Sequence, residues 1–148
     1  MMKHDSYPHY WVNHLSFLLR RSLVQRFEAE GLDVSAEEWA VLLILQSVPD
    51  LTATELSDRS MRDKTTITRT LDRLERKGLV LRLRDTKDRR SVRLSLSPMG
   101  QAVFEELARI AQGLIKQTLA GIAPEDVEQA LTVMKRMAAN LTEEQHGL

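Results

Sequence analysis

Basic and hydroxyl side chains concentrate between Asp63 and Gly100, in a pattern that suits contact with a polyanion. The first part, DKTTITRTLDRLERKG, predicts a helix with these side chains on one face and Ile67, Leu71 and Leu74 on the other. Two strand-like runs follow, LVLRLR and SVRLSL, joined by the charged turn DTKDRR. A helix shaped for a DNA major groove, beside a hairpin with arginines at its tip, predicts a winged helix-turn-helix.

The net positive charge is confined to this part of the chain. Residues 59–93 hold thirteen lysines and arginines against five acidic residues, a net charge of +8, whereas the rest of the chain carries −8. A neutral protein with its positive charge in one segment has a focused field, which favours phosphate contacts with a polyanion. A solvated charged face is the alternative. Because the charge coincides with a docking geometry, we expect double-stranded DNA to be the partner.

Within the predicted recognition helix, Arg69 is the best candidate for reading a base, because arginine can bind O6 and N7 of guanine together. Three threonines offer hydroxyls to phosphates and methyl groups to thymine, namely Thr65, Thr66 and Thr68. Three basic residues are expected to bind phosphates, which position the protein without specifying a sequence: Arg62, Lys64 and Arg73.

The turn of the hairpin offers a second contact with DNA. An arginine at a hairpin tip can enter the narrow, electronegative minor groove and read its width. Arg89 and Arg90 are both candidates for the inserted residue, and the sequence does not choose between them. Asp88 could hold the guanidinium of Arg90 through a bidentate pair.

Start signals place the winged helix-turn-helix over about 35–97. Ser35 with Glu38, and Thr52 with Glu55, have the spacing of capping boxes, and Asp63 can cap the recognition helix, which is expected to end at Gly78. Alternation predicts that the leucines of the first strand share the apolar face of the second strand, with Arg82 and Arg84 opposite. The residues of that predicted face are Leu79, Leu81, Leu83, Val92, Leu94 and Leu96.

Long helices are predicted on both sides, over about 9–30 and 98–142, the latter being two helices that begin at Ser97-Pro98 and near Pro124. Their apolar residues recur every three or four positions and exceed what one small hairpin domain needs to cover itself. Pairing with a second copy explains them, so we expect a homodimer. The fold class is mainly α with a small β-hairpin (α+β), in one domain spanning 1–148.

The order of these elements resembles the MarR family of bacterial transcription regulators over nearly the whole chain. The specific part is RLERKGLVLRLRDTKDRRSVRLSLSPMG, which is similar to the family's wing signature: an Asp-x-Arg turn (Asp88-Arg89-Arg90), a strand end (Leu96-Ser97) and a glycine (Gly100). The resemblance implies a homodimer that binds a pseudo-palindromic site near promoters, usually as a repressor. It also implies a possible small-molecule pocket between the dimerisation and DNA-binding regions.

Aromatic and basic residues near the first helix could form such a pocket for a small aromatic or amphipathic effector. The candidates are Trp11, His14, Phe17 and Trp39, with Arg20 or Arg21 binding a carboxylate. The aromatic residues fit a dimer core equally well. The chain has no cysteine, which excludes disulfides and a cysteine redox switch. His4, His9 and His14 recur every five residues, about 140° apart on a helix, so no metal site is expected.

Other function classes find little support. The sequence has no GxxxxGK, GxSxG or HExxH motif, and the pairs Glu105-Glu106 and Glu143-Glu144 point in different directions on helices, so we expect neither an enzyme nor a cofactor. Neither a signal peptide nor a membrane span is predicted, which favours a cytoplasmic protein. A winged helix used for protein contacts remains the alternative, although it would not need threonines, an arginine and a basic wing tip aimed outward.

Overall fold

The computed structural model describes residues 3–84 and 91–146, with side chains described as far as residue 142. A short 3-10 turn at His4–Ser6 comes first. The helices and strands of the described residues then follow in this order: α1 (Pro8–Ala29), α2 (Ala36–Ser47), β1 (Leu51–Thr52), α3 (Ala53–Ser60), α4 (Lys64–Arg76), β2 (Val80–Arg84), β3 (Val92–Leu96), α5 (Pro98–Thr118) and α6 (Pro124–His146). The mainly helical fold class with a small antiparallel sheet is confirmed.

The helices begin where the sequence placed their caps. The hydroxyls of Ser35 and Thr52 each accept a hydrogen bond from the N–H of the glutamate three residues on, at 3.1 Å in both cases. Glu38 and Glu55 accept in return from the N–H of the two capping residues. Asp63 caps α4 by accepting from the third N–H of the helix at 2.7 Å. Each cap satisfies backbone donors that have no partner inside the helix.

Within the described residues, three strands and not two form the sheet, in the order β1-β3-β2 with both pairs antiparallel. The added strand β1 has only two residues, and the second of them, Thr52, is also the cap of α3. Leu51 pairs with Leu94 and is buried against it. Two residues are too few for alternation to be visible, so no local pattern predicts this strand.

The predicted division of the hairpin into faces is wrong. Directly paired residues of antiparallel strands share a face, and the register pairs Arg82 with Leu94 and Leu81 with Ser95. Val80 and Leu94 therefore lie on the buried face, together with Arg82. Leu81 and Leu83 lie on the opposite face, with 42% and 55% of their surfaces exposed. The leucines of β2 and the apolar residues of β3 face opposite sides of the sheet.

Each of the helices α1 to α5 contributes at least one fully buried side chain to the core, among them Phe27, Leu42, Leu56, Leu74 and Leu107. Burying a side chain of this size stabilises the fold by about 1.5–3 kcal/mol. The predicted core side of α4 is confirmed, because all three of its apolar residues are at most 2% exposed. This packing holds α4 against the domain by one side and leaves its other side to solvent.

The chain divides into two compact units, residues 1–114 and 115–148. The first contains α1 to α4, the sheet and most of α5, and it holds the core described above. The second contains the last residues of α5 and the whole of α6, and none of the described side chains of α6 is buried. Over the residues described, no helix is both long and apolar enough to cross a membrane.

Candidate nucleic-acid interface

A tight turn of three residues, 61–63, connects α3 to α4. Met61 adopts a left-handed conformation with φ of 56° and is 91% exposed, which reverses the chain direction after α3. The buried hydroxyl of Ser57 donates to the carbonyl oxygen of Arg62 at 2.7 Å and holds the turn from inside. Asp63 then begins α4. These contacts hold the turn and so set the orientation of α4 relative to α3.

The capping residue of α4, Asp63, also interacts electrostatically with the start of the helix. The backbone N–H of Thr66, assisted by its side-chain hydroxyl, holds the pKa of Asp63 below its ordinary value of 3.8. Since these hydrogen bonds favour the ionised carboxylate, Asp63 is charged at neutral pH and complements the positive end of the helix dipole. Arg69 on the same helix lowers the pKa further, as a smaller effect.

The two sides of α4 differ sharply. Its buried side consists of Ile67, Thr70, Leu71 and Leu74. The residues predicted to contact DNA lie away from that side: Lys64, Thr65, Thr68, Arg69 and Arg73 are all exposed. With about 100° of rotation per residue, the middle of the outward side passes through Thr65, Asp72, Arg76 and Arg69. The outward side of α4 therefore combines hydroxyl, basic and carboxylate groups.

Two of the predicted contact residues are partly engaged elsewhere. Thr66 is half-buried, about 100° around the helix from Thr65, and lines a groove together with residues of α2. Arg73 donates from Nη2 to the hydroxyl of Thr70 at 3.3 Å. That hydroxyl in turn donates to the carbonyl of Thr66 at 2.9 Å. Thr70, which sequence reasoning did not single out, thus restrains one basic side chain at the edge of the outward side.

Sequence reasoning also missed Arg76, which is exposed on the outward side one turn beyond Asp72. Its Nε donates to the carbonyl oxygen of Asp72 at 3.3 Å, so its guanidinium stays close to the helix. The signal for it was present, because Arg76 follows Arg69 by seven residues and two helical turns bring such residues to one face. Arg69 and Arg76 together extend the basic surface along α4.

The wing strands contribute further arginines. Arg82 on β2 contacts two carboxylates of α4: its Nη2 lies 2.9 Å from Asp72 Oδ1 and its Nε lies 3.4 Å from Glu75 Oε2. Arg93 on β3 donates to the carbonyl of Asp50 at 3.0 Å. These contacts hold the base of the wing against α4 and the loop before β1. The predicted tip residues, Asp88, Arg89 and Arg90, lie outside the described residues.

A half-buried ion pair fixes the other end of α4. Lys77 Nζ lies 2.8 Å from Glu38 Oε2 and 3.1 Å from Oε1, and it donates to the carbonyl of Asp33 at 2.7 Å. The side chain of Glu38 is only 4% exposed. A carboxylate so far from water requires a cation close by. Lys77 therefore ties the C-terminal end of the recognition helix to the start of α2.

Comparison with known proteins agrees with this geometry. The model of the MarR family matches residues 34–92. A crystal structure of a MarR-family transcriptional regulator from Silicibacter pomeroyi superposes with a TM-score of 0.78 and 28% identity, covering 93% of this chain and 92% of that chain. The structure of transcriptional regulator PA3341 is 30% identical, with a TM-score of 0.81, covering 93% and 99% of the two chains. The chain belongs to the MarR family.

Among curated relatives, the HTH-type transcriptional repressor MdtR of Bacillus subtilis (strain 168) is 29% identical over 120 residues, which cover 81% of this chain and 76% of the relative. The segment matched by the family model begins two residues before α2 and ends at the first residue of β3, and so contains α2, α3, α4 and β2. This MarR-family chain is a DNA-binding transcription regulator.

The residues predicted to form an effector pocket in this MarR-family protein are placed in two settings. Trp11 and His14 lie together on α1, with ring centres 5.8 Å apart, and Phe17 on the same helix is 72% exposed. Trp39 is instead partly buried against the core, stacked on Phe104 at 5.4 Å. Arg20 forms an ion pair with Glu37 of α2. Trp39 therefore has a packing role, whereas the α1 aromatics remain open to a partner.

A groove of about 270 Å³ lies behind the helix-turn-helix, between α2 and the turn before α4. Its walls include the apolar side chains of Val41, Ile44 and Ile67, and Arg62 lies among its polar lining residues. Glu37 and Thr66 also line it. The groove thus connects the Arg20–Glu37 ion pair with the first turn of the recognition helix, a link that the sequence did not indicate.

Proposed function

We propose that this MarR-family protein is a homodimeric repressor that binds a pseudo-palindromic operator, with α4 in the major groove and the wing beside it. One observation carries the proposal: α4 is packed by one side only, and its other side presents basic and hydroxyl groups to solvent. A helix of this kind fits the major groove, where base edges carry a distinct pattern for each base pair.

The assigned contacts follow from the chemistry of each side chain. Arg69 reads a guanine through O6 and N7, and Thr65 and Thr68 contact phosphates or thymine methyl groups. Lys64 and Arg62, exposed at the start of α4 and in the turn before it, bind phosphates and position the helix. Thr66 and Arg73, which are partly engaged within the protein, are weaker candidates for DNA contact.

The wing supplies the second contact. Its base is held beside α4 by the contacts of Arg82, and Arg84, at the end of β2, is exposed. The sequence places Arg89 and Arg90 at the tip, where one of them enters the minor groove and Asp88 orients it. This assignment depends on the sequence and on the family resemblance.

Exposed apolar side chains support a homodimer. On α1, Trp11, Val12 and Phe17 are 49%, 49% and 72% exposed. On α6, Met134 and Leu141 are 47% and 65% exposed. Long helices with this much uncovered apolar surface are typical of an interface. A second copy of the chain is the occupant that also supplies the second half-site of a symmetric operator.

The proposal also includes repression by operator binding and its release by a small-molecule effector. The name of the relative MdtR, a repressor, supports repression by operator occupancy. A small aromatic carboxylate is the proposed effector, because it would compete for Arg20 with Glu37, which lines the groove that reaches Thr66. Titration with benzoate as the probe should weaken operator binding in the native protein and leave an Arg20→Ala variant unaffected. An unchanged operator affinity in the native protein contradicts this class of effector.

Gel-shift titration against genomic fragments, followed by footprinting, tests DNA recognition. We expect a twofold-symmetric footprint with half-sites roughly one helical turn apart. If about 6–10 phosphates are neutralised per dimer, affinity should fall by ~10³-fold or more between 50 and 200 mM salt. Binding that is flat with salt and leaves no footprint would favour a winged helix used for protein contacts. Sedimentation at micromolar concentration should show a dimer, and a monomer would refute the assigned interface.

Variants separate the roles of helix and wing. Arg69→Ala should cost about 1–3 kcal/mol per half-site and relax the preference at one symmetric base pair. Replacing both Arg89 and Arg90 by alanine should weaken binding to most sequences and reduce the salt slope, while the central base preference stays. If the double variant instead changes the central base preference and Arg69→Ala changes only the overall affinity, the roles assigned to helix and wing are wrong.

A further inference from the structure

A carboxylate lies on the outward side of the recognition helix, among groups that suit a polyanion. Asp72 follows Thr65 by seven residues, so the two lie within about 20° of each other around α4. Its side chain is 47% exposed. A negative charge at this place opposes phosphate binding, because it faces the same partner as the arginines around it. In a complex with DNA the Asp72 carboxylate therefore needs a hydrogen-bond donor, which a phosphate does not provide.

Arg82 restrains this carboxylate from the wing. The contact joins Arg82 Nη2 to Asp72 Oδ1 at 2.9 Å, and the same guanidinium reaches Glu75 through Nε at 3.4 Å. Arg82 lies on the face of the sheet that also carries the buried Leu94, with 31% of its side chain exposed. A charge-assisted hydrogen bond of this length limits the rotamers of Asp72. The oxygen Oδ2, which this contact does not use, is available to an external donor.

Glu75 provides a comparison within the same cluster. It pairs with the same arginine and has the same side-chain exposure, 47%. It lies about 60° around α4 from Asp72 and about 80° from Thr65, toward the wing. The two carboxylates therefore share charge and partner, and they differ in position: Asp72 lies near the middle of the outward side, and Glu75 lies near its edge.

The chemistry of a carboxylate limits what it can read. An ionised carboxylate accepts hydrogen bonds and donates none. In the major groove the exocyclic amino group of cytosine is its matching donor. Guanine and thymine present acceptors and no donor there, and the amino group of adenine lies beside the acceptor N7, which repels a carboxylate. We propose that Asp72 is a specificity-determining residue that selects cytosine at one symmetric base pair of each half-site, and that Arg82 is its positioning residue. This inference rests on the proposed insertion of α4 into the major groove.

The test measures relative affinity for operators in which every base pair of one half-site is varied, with the full-length protein at fixed salt. The native protein should prefer cytosine at one position by about fivefold to tenfold, at the low end of what a bidentate contact provides. Asp72→Asn should abolish that preference or shift it toward adenine, because an amide donates as well as accepts. Glu75→Gln is the matched control: it removes the same charge and should raise affinity for all sequences without changing the preference.

Arg82 is tested at the same base pair, since a purely structural role would not change base choice there. Arg82→Ala should reduce the cytosine preference, and Arg82→Lys, which can still pair with Asp72, should retain most of it. If Asp72→Asn leaves every preference of the native protein intact, or if Glu75→Gln alters the same base pair equally, the inference is wrong. A native protein that shows no preference at any position would instead overturn the proposed sequence-specific function itself.

Discussion

Gly100, in the first turn of α5, is the position where the structure predicts the greatest sensitivity to one added methyl group. A Cβ at this residue would overlap the carbonyl oxygen of Leu79 and lie 2.9 Å from its carbonyl carbon, whereas real Cβ atoms stay beyond 3.0 Å. Both groups that must separate are backbone, so no side-chain rotation relieves the overlap. We expect Gly100→Ala to push the start of α5 away from the residue that precedes β2.

The cost follows from the contacts made at this junction. Forcing extra volume into a packed site costs about 1–3 kcal/mol. Separation also lengthens the bond from the N–H of Ser97 to the carbonyl of Leu79, now 3.0 Å, and strains the cap in which Gly100 N–H donates to Ser97 Oγ at 2.9 Å. With about 1 kcal/mol for each hydrogen bond, the free energy of unfolding should fall by about 3–5 kcal/mol.

Gly113→Ala is the matched control, because it makes the same substitution in the same helix. A Cβ there would meet only Arg26 Nη1, at 4.0 Å. This variant should gain about 0.5–1 kcal/mol, since alanine favours a helix more than glycine does. Urea denaturation monitored by far-ultraviolet circular dichroism, at one fixed protomer concentration, measures both. If the two variants have equal stability, or if Gly100→Ala loses less than about 1 kcal/mol, the packing argument is refuted.

Two further predictions concern the ends of the recognition helix. Lys77→Met should destabilise the fold by about 2–3 kcal/mol, because it leaves the buried Glu38 without its cation. The control Arg76→Met should stay within about 0.5 kcal/mol of the native protein. Equal effects of the two variants in urea denaturation would contradict the role of the ion pair. Asp63→Asn tests the charge of the cap. Because the folded pKa of Asp63 lies below 3.8, its charge stabilises the folded state above that pH, and this contribution is lost as the pH falls through the folded pKa. The stability difference between native protein and variant should therefore shrink below pH 3.8, and a difference independent of pH would rule out the charge as its source.

Local chemistry explains why so many helix boundaries could be predicted. A capping residue and its N–H partner are three residues apart, so Ser35, Thr52 and Asp63 contain their own signals. The buried side of α4 was predictable for a related reason, because helical periodicity decides which residues share a side once the helix is recognised. The same periodicity placed Arg69 on the outward side. All of these inferences use residues within a few turns of one another.

Contacts between distant segments were not predictable in this way. Alternation separated the residues of β2 into two sets but did not say which set meets the core, and the leucines were assigned to the wrong side. Arg82 occupies the core side because α4 presents Asp72 and Glu75 there, which offsets the cost of placing a charge on that face. Likewise, Gly100 was visible only as part of a motif. The reason for a glycine there is visible only in the folded protein, where an added Cβ would overlap the backbone of Leu79.

By itself, the sequence determined the helices, their caps, the outward side of α4 and the concentration of basic residues around it, because each depends on composition or on neighbours along the chain. Only the tertiary structure decided the register of β2 with β3, the presence of β1, and the links from Arg82 and Lys77 to carboxylates of other elements. Lys77 and Glu38 are separated by 39 residues. Their contact exists because packing of the core brings α2 and the end of α4 together, and no local pattern carries that information.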